Sequence, residues 1–385
     1  MELDRRTVLL LLSAFAAAPS VAQAAPDPIV DAIGREVRLA GPVGRIVLLD
    51  ATDILSMAVL HPDPSSLVVG WAGVDTLDSD RVRHDYETRP DGSRIQTVGG
   101  QTPDSLSIER ILTLAPDLVV ATARMAPDLG DSLLGRHLEA AGIPLIFSNA
   151  ASNRQPGGEA GGGDDPFTHL AQTLRMWSHI LARKEKTEAF LTFVQEHLDR
   201  IRDTLDASAP IKTYLEVQST YDDCCWAAGQ RIWGDLLTQA GGRALSAADA
   251  PWYAKISPEQ MVIEAPEVYI ASGGAYAAGI RPGIGPGLDP APARAGLRRL
   301  IARTGFARLP AVQNKRVHGV WTGLLTVPPL NILFVEIAAK WLHPDLFPDL
   351  APTETLTKIN RRFLAKPLPG PCWLSLSPEP TITGQ

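Results

Sequence analysis

The stretch S-I-E-R-I-L-T-L-A-P-D-L-V-V, residues 107–120, decides the fold, because residues 257–270 repeat it as S-P-E-Q-M-V-I-E-A-P-E-V-Y-I. The two copies align Ser107 with Ser257, Glu109 with Glu259, Pro116 with Pro266 and Asp117 with Glu267. Each copy predicts a short helix feeding a buried strand. A serine at the N-cap offers its hydroxyl to amides that lack an intrahelical partner, and a first-turn carboxylate suits the positive end of the helix dipole. The proline ends the helix ahead of β-forming residues. In the second copy, Pro258 takes the first helical position and Gln260 completes a capping box with Ser257. An echo at such long spacing predicts two lobes of one design.

Strands and helices alternate at short spacing around both copies. Residues 31–39 read as a small hairpin, 45–50 and 66–70 as strands flanking a helix over 53–60, and 143–147 as a strand after a helix over 131–141. The second half repeats the pattern, with strands over 211–218, 268–272 and 315–321 and helices over 233–240, 257–264 and 330–342. This predicts an α/β fold of two lobes, with mostly parallel sheets covered by helices. Residues 167–205 contain no Pro or Gly, and Leu170, Leu174, Trp177, Ile180 and Leu181 share one helical face. They predict a single long helix joining the lobes, with a break near Arg183 left open. The expected division is a signal peptide over 1–24, an N-terminal lobe over 25–165, a connector over 166–206, and a C-terminal lobe with terminal helix and tail over 207–385. Residues 71–100 and 273–296 read as long loops, the first with one short helix.

The first residues read as an export signal. Arg5 and Arg6 precede an apolar run over 8–18 that is too short to span a bilayer, and Ala22-Gln23-Ala24 supplies small residues for cleavage. The arginine pair resembles a twin-arginine signal, but Asp4 stands where Ser or Thr is usual, so the general secretory route stays open. A periplasmic protein is expected. The net charge of -7 argues against nucleic acid and anionic membrane surfaces as partners. Of three cysteines, Cys224 and Cys225 are adjacent and read as a buried or disulfide-bonded pair rather than metal ligands. The glycine cluster at 157–163 lacks the Lys-Ser/Thr of a phosphate-binding loop and reads as surface loop.

No catalytic constellation is written in the chain. There is no G-x-S-x-G elbow and no H-E-x-x-H, and the eight histidines include no pair at i, i+4. In open parallel sheets ligands sit beyond the carboxyl ends of strands. Those positions give Thr52, Asp53, Trp71, Thr122, Arg124 and Asn149 in the first half. In the second half they give Tyr221, residues 272–276 including Tyr276, and Trp321 with Thr322, joined by Trp252, Tyr253 and Arg281. Aromatic side chains with a few arginines on the facing edges of two lobes suit a flat or bulky ligand bearing negative charge. Each aromatic taken alone also reads as core filling.

The order D-A-I-G-R-E-V-R-L, R-I-V-L-L, V-V-G, V-G-G, the first motif, a long connector, G-D-L-L with A-G-G, and the second motif resembles the periplasmic substrate-binding proteins of iron-siderophore and cobalamin ABC importers. The resemblance covers nearly the whole chain after the leader. It implies two α/β lobes joined by one helix that limits their movement, with a chelate held in the cleft and no enzymatic activity. It also implies that an acid on each lobe docks into arginine pockets of a membrane permease, and the matching residues are Glu109 and Glu259. The implied ligand is a ferric siderophore or related Fe(III) chelate, bound without a covalent cofactor, with haem and cobalamin as competitors within the class. The reading from another class is an exported enzyme such as a hydrolase, for which no nucleophile can be named. A haem ligand set would draw on Tyr221, Tyr276 or His84. The implied partners are the permease and ATPase of an importer in the inner membrane, with the binding protein itself a monomer.

Overall fold

A computed structural model describes residues 28–128, 131–148, 165–206, 208–277, 279–287, 289–370 and 372–377. The leader, Asn149 and the glycine cluster at 157–163 lie outside the described residues. After a hairpin of β1 (Ile29–Val30) and β2 (Glu36–Val37), the first half builds a sheet from five strands. These are β3 (Ile46–Leu48), β4 (Val68–Ala72), β5 (Gln96–Gly99), β6 (Leu118–Ala121) and β7 (Leu145–Phe147). They run parallel in the order β5-β4-β3-β6-β7.

The second half contributes β8 (Ile211–Glu216), β9 (Trp226–Ala228), β10 (Gly242–Arg243), β11 (Tyr253–Lys255), β12 (Val268–Gly273), β13 (Val317–Trp321) and β14 (Trp373–Ser375). Their order is β11-β9-β8-β12-β13-β14, with β10 beside β8. The centre is parallel, and β9, β11 and β14 close it antiparallel. Strand β5 falls inside residues 71–100, which the sequence predicts as loop: its Q-T-V-G buries only Val98 fully, too little for a hydrophobic signal.

The echoed motif is a repeat in three dimensions. Ser107 Oγ accepts from the Arg110 amide at 3.3 Å and Ser257 Oγ from the Gln260 amide at 3.2 Å, and Gln260 Oε1 accepts in return from the Ser257 amide. Both helices, Ile108–Thr113 and Pro258–Glu264, are followed by an alanine in left-handed conformation before the proline, Ala115 (φ 42°) and Ala265 (φ 48°). The acid after each proline ties down the neighbouring strand. Asp117 Oδ2 accepts from the Gly44 and Arg45 amides at 2.8 and 2.9 Å, and Glu267 Oε1 from the Lys212 amide at 3.4 Å. Each copy thus sets the register of a strand at the middle of its own sheet.

Side-chain alternation divides the interior into three cores. Ile46, Leu48, Leu118 and Val120 face one way and join Leu215, Val268 and Ile270 of the other sheet in a core that also holds Leu174, Trp177 and Phe334. Val47, Val119 and Ala121 face a separate core of the first lobe, and Tyr214, Tyr269 and Ala271 one of the second. The inner faces of the two sheets therefore share one continuous core. Between them lie two helices, Pro166–Leu181 and Lys184–Leu205, where the sequence predicts one: Ala182 turns left-handed (φ 53°), and the Arg183 amide bonds back to Ser178. Hinge motion would have to shear the shared apolar layer, so the lobes are held at nearly fixed spacing.

Candidate functional site

The two sheets point their carboxyl ends at each other. In the first, strand order reverses between β3 and β6, and in the second between β8 and β12, so both topological switch points face one cleft. The cleft holds a cavity of about 580 Å³. Residues after β3 and β6 supply Asp50, Thr52 and Arg124; residues after β8 and β12 supply Val217, Gln218, Thr220 and Tyr276. The connector forms the floor with Pro166, His169, Leu170 and Thr173.

The first lobe's contribution is a cluster around Asp50. Its Oδ1 accepts from the Thr52 hydroxyl at 2.7 Å and the Thr52 amide at 3.2 Å, with the Thr76 hydroxyl also 3.2 Å away. Its Oδ2 lies 2.7 Å from Arg124 Nη2, and Arg124 Nη1 donates to the Gln101 carbonyl. The arginine expected to face anionic groups of a ligand is therefore already paired.

Beneath this cluster Asp53 is buried. Burial, and then the charge of Asp50, push its carboxyl up to about 8, although the Ser148 hydroxyl donates to Oδ2 at 2.6 Å and works the other way. The folded-state value lies above the unfolded one, so the native state keeps a proton that the unfolded chain has released. Between pH 3.8 and about 8 stability therefore falls as pH rises, by at most about 1.4 kcal/mol per pH unit. Asp53→Asn should gain stability relative to the unchanged protein at pH 8 but not at pH 4, measured by urea unfolding at both. An equal difference at the two pH values would refute the assignment.

Asp78 spans the cleft. Its Oδ2 lies 3.0 Å from Arg281 Nη1, its Oδ1 accepts from the Tyr276 amide at 2.8 Å, and its carbonyl accepts from the Ala275 amide and from Trp321 Nε1, each at 3.1 Å. Gly274 permits this approach, since a Cβ there would stand 1.9 Å from the Asp78 carboxyl carbon. The two long loops of the sequence thus meet, and Arg281 too is paired, with Nη2 also donating to Thr322 Oγ1 at 2.8 Å. Burial raises the Asp78 carboxyl while the Arg281 charge opposes the shift.

Aromatic side chains of the second lobe make the opposite wall: Trp233, Trp252, Tyr253 and Tyr276. Tyr253 stacks on Trp233 with ring centroids 5.8 Å apart and meets Trp226 edge-on at the same distance. Of the residues read from the sequence, Thr52, Arg124, Trp252, Tyr253, Tyr276, Arg281 and Thr322 line the cavity.

Three expected site residues are placed elsewhere. Trp71 points into the shared core, 2% exposed, because its place in β4 directs it inward. Trp321 is fully buried, and its indole serves Asp78. Tyr221 lies under the Arg299 guanidinium, 4.0 Å from its ring centroid, on the outer side of the lobe. His84 stands on the surface 3.6 Å from Glu87, so of the three possible haem ligands only Tyr276 lines the cavity.

Sequence reading missed Trp233, Asp50, Thr76 and Asp235. A tryptophan just before G-D-L-L was a usable signal, and so was the position of Asp50 just after β3. Cys224 and Cys225 form a disulfide with each other across a cis peptide bond. Among the described residues no group of three or more His, Cys, Asp or Glu is placed to hold a metal ion.

Comparison with known proteins agrees with this architecture. Residues 57–320 match the model of a family described as periplasmic binding protein. A vitamin B12-binding protein of Photorhabdus laumondii is 24% identical over 224 residues, covering 57% of this chain and 71% of that protein. One from Yersinia pestis (strain Pestoides F) is 24% identical over 169 residues, and there the match spans 44% of this chain and only 53% of the relative. The crystal structure of a TroA-like periplasmic binding protein, FepB from Veillonella parvula, superposes with a TM-score of 0.75 at 20% identity, covering 91% of this chain and all of that one.

Proposed function

The chain belongs to the periplasmic binding protein family, and from that premise we propose that it captures a ferric siderophore or related iron chelate and delivers it to the permease of an ABC importer. Members of the family are substrate-binding proteins, not enzymes, and work with the permeases and ATPases of such importers. The family is periplasmic, and no helix among the described residues is long and apolar enough to cross a membrane.

One observation carries the reading: a cavity of about 580 Å³ lies between two switch points, walled by aromatics on one side and polar groups on the other. That is the composition of a site that holds a bulky rigid solute without reacting with it. Trp233, Trp252, Tyr253 and Tyr276 would supply the contact area. Cobalamin is the second reading, supported by the B12-binding relatives.

Delivery would use Glu109 and Glu259. Both are exposed and occupy the same first-turn position of the two echoed helices, one on each lobe. The helix amide and the Ser257 hydroxyl hold the Glu259 carboxyl below its usual range, so it presents a full negative charge.

Protein recovered from the periplasm of its own host should carry a visible absorption band, and the emptied protein should show tryptophan fluorescence that saturates at one equivalent of an iron chelate or corrinoid. A colourless protein whose fluorescence ignores a panel of ferric siderophores, haemin and cyanocobalamin would sink the proposal.

A further inference from the structure

The described lining of the cavity is richer in carboxylates than its two arginines alone would suggest. It carries four carboxylates, Asp50, Asp75, Asp78 and Asp235, against two guanidiniums, Arg124 and Arg281. Both guanidiniums are engaged, by Asp50 at 2.7 Å and by Asp78 at 3.0 Å. An anion that took Arg124 would have to displace Asp50, which also holds Thr52, and would leave that 8%-exposed carboxylate without its cation. The Arg124 side chain is 34% exposed and that of Asp50 11%, so solvent offsets part of the cost of separating them, and the exchange is unfavourable without being forbidden. Arg281 is held harder still, its side chain 11% exposed against an Asp78 side chain at 5%.

The two carboxylates left over, Asp75 and Asp235, have no ion-pair partner among the described residues, and Asp75 is exposed. Burial raises the Asp78 carboxyl, but with Asp78 neutral the described lining still carries more carboxylates than guanidiniums. The aromatic wall points the same way independently. The faces of Trp233, Trp252, Tyr253 and Tyr276 carry the negative lobe of the ring quadrupole and attract cations.

We infer that the site takes a metal chelate of neutral or positive net charge and discriminates against polyanionic ones. The inference rests on the chelate-binding reading and narrows it. Three hydroxamates neutralise Fe(III), and a pendant ammonium makes such a chelate a cation, whereas three catecholates leave three negative charges. The cationic group would meet Asp75, Asp235 and the indole faces, while the arginines stay with their own acids and hold the walls in place.

Tryptophan fluorescence titration of the purified protein with these three ferric chelates, cyanocobalamin and haemin tests the idea. At low ionic strength the neutral and ammonium-bearing trihydroxamates should bind about tenfold or more tighter than the tris-catecholate. The advantage of the ammonium form over the neutral one should shrink in high salt. Asp75→Asn, alone and with Asp235→Asn, should narrow the gap by strengthening tris-catecholate binding. A tris-catecholate that binds as tightly as the trihydroxamates, or a gap unmoved in both variants, overturns the charge inference and leaves chelate binding standing. Silence from every ligand overturns the chelate reading and this inference with it.

Discussion

Replacing Glu109 and Glu259 together by alanine should abolish uptake of the ligand by cells while leaving the affinity of the purified protein unchanged. Both carboxylates stand on the outer ends of short helices whose other faces pack on their sheets, and neither lines the cavity. Their local work is to complement a helix dipole, a weak contribution that solvent screens at an exposed position. Loss of fold therefore cannot account for loss of transport, and equal thermal midpoints with unequal uptake would isolate docking. Because the two lobes share one core, changing the spacing between the two carboxylates would shear that apolar layer. Rigid spacing lets two weak charge contacts act as one bidentate recognition event. Each single substitution should then leave part of the uptake, with the double variant showing far less than either. Normal uptake in the double variant would refute docking through this pair.

The largest stability effect should come from Arg303→Met. Glu216, at the carboxyl end of β8, is fully buried and receives Arg303 through two bonds, Nη1 to Oε1 at 2.8 Å and Nη2 to Oε2 at 2.7 Å. The Tyr269 hydroxyl donates to the same carboxylate, and Arg303 also donates to that hydroxyl at 2.8 Å. Stacked Tyr214 and Tyr269, with centroids 4.9 Å apart, and the edge of Phe306 surround the group and keep water out. Removing the guanidinium strands a buried charge, and the expected loss is about 3–5 kcal/mol in urea unfolding. Adding Glu216→Gln to Arg303→Met should restore part of it, since an amide needs no counter-charge. A single variant within about 1 kcal/mol of the parent would show that the pair is better solvated than its geometry indicates. The network lies directly behind Val217 and Gln218, so the cavity wall rests on it.

Much of the architecture was legible because its signals are local. The serine caps, the acid in the first turn and the Ala-Pro end of each helix all act within a few residues, and each does in the fold what its chemistry suggests. The parallel strands at the centre announced themselves by continuous apolar runs such as Leu118–Ala121. The edges did not. Strands β9, β11 and β14 are three residues long, too short for an alternation to show, so no period marks them. The connector's break was hinted at near Arg183, yet no glycine or proline stands there. An alanine takes the left-handed turn because tertiary packing holds the next helix against the previous one.

The sequence by itself determined the two-lobed α/β plan, the pairing of its lobes through residues 107–120 and 257–270, and the absence of a written nucleophile. Only the tertiary structure decided what the cleft is made of. Trp71, Trp252 and Trp321 all stand close to strand ends, but which way a side chain points there depends on how the chain leaves the sheet, and two of the three turn inward. Arg124 and Arg281 read as partners for an anionic ligand until the fold brings Asp50 and Asp78 against them. Caps and alternation are properties of neighbours along the chain. The charge of a cavity is a property of residues that meet only across space.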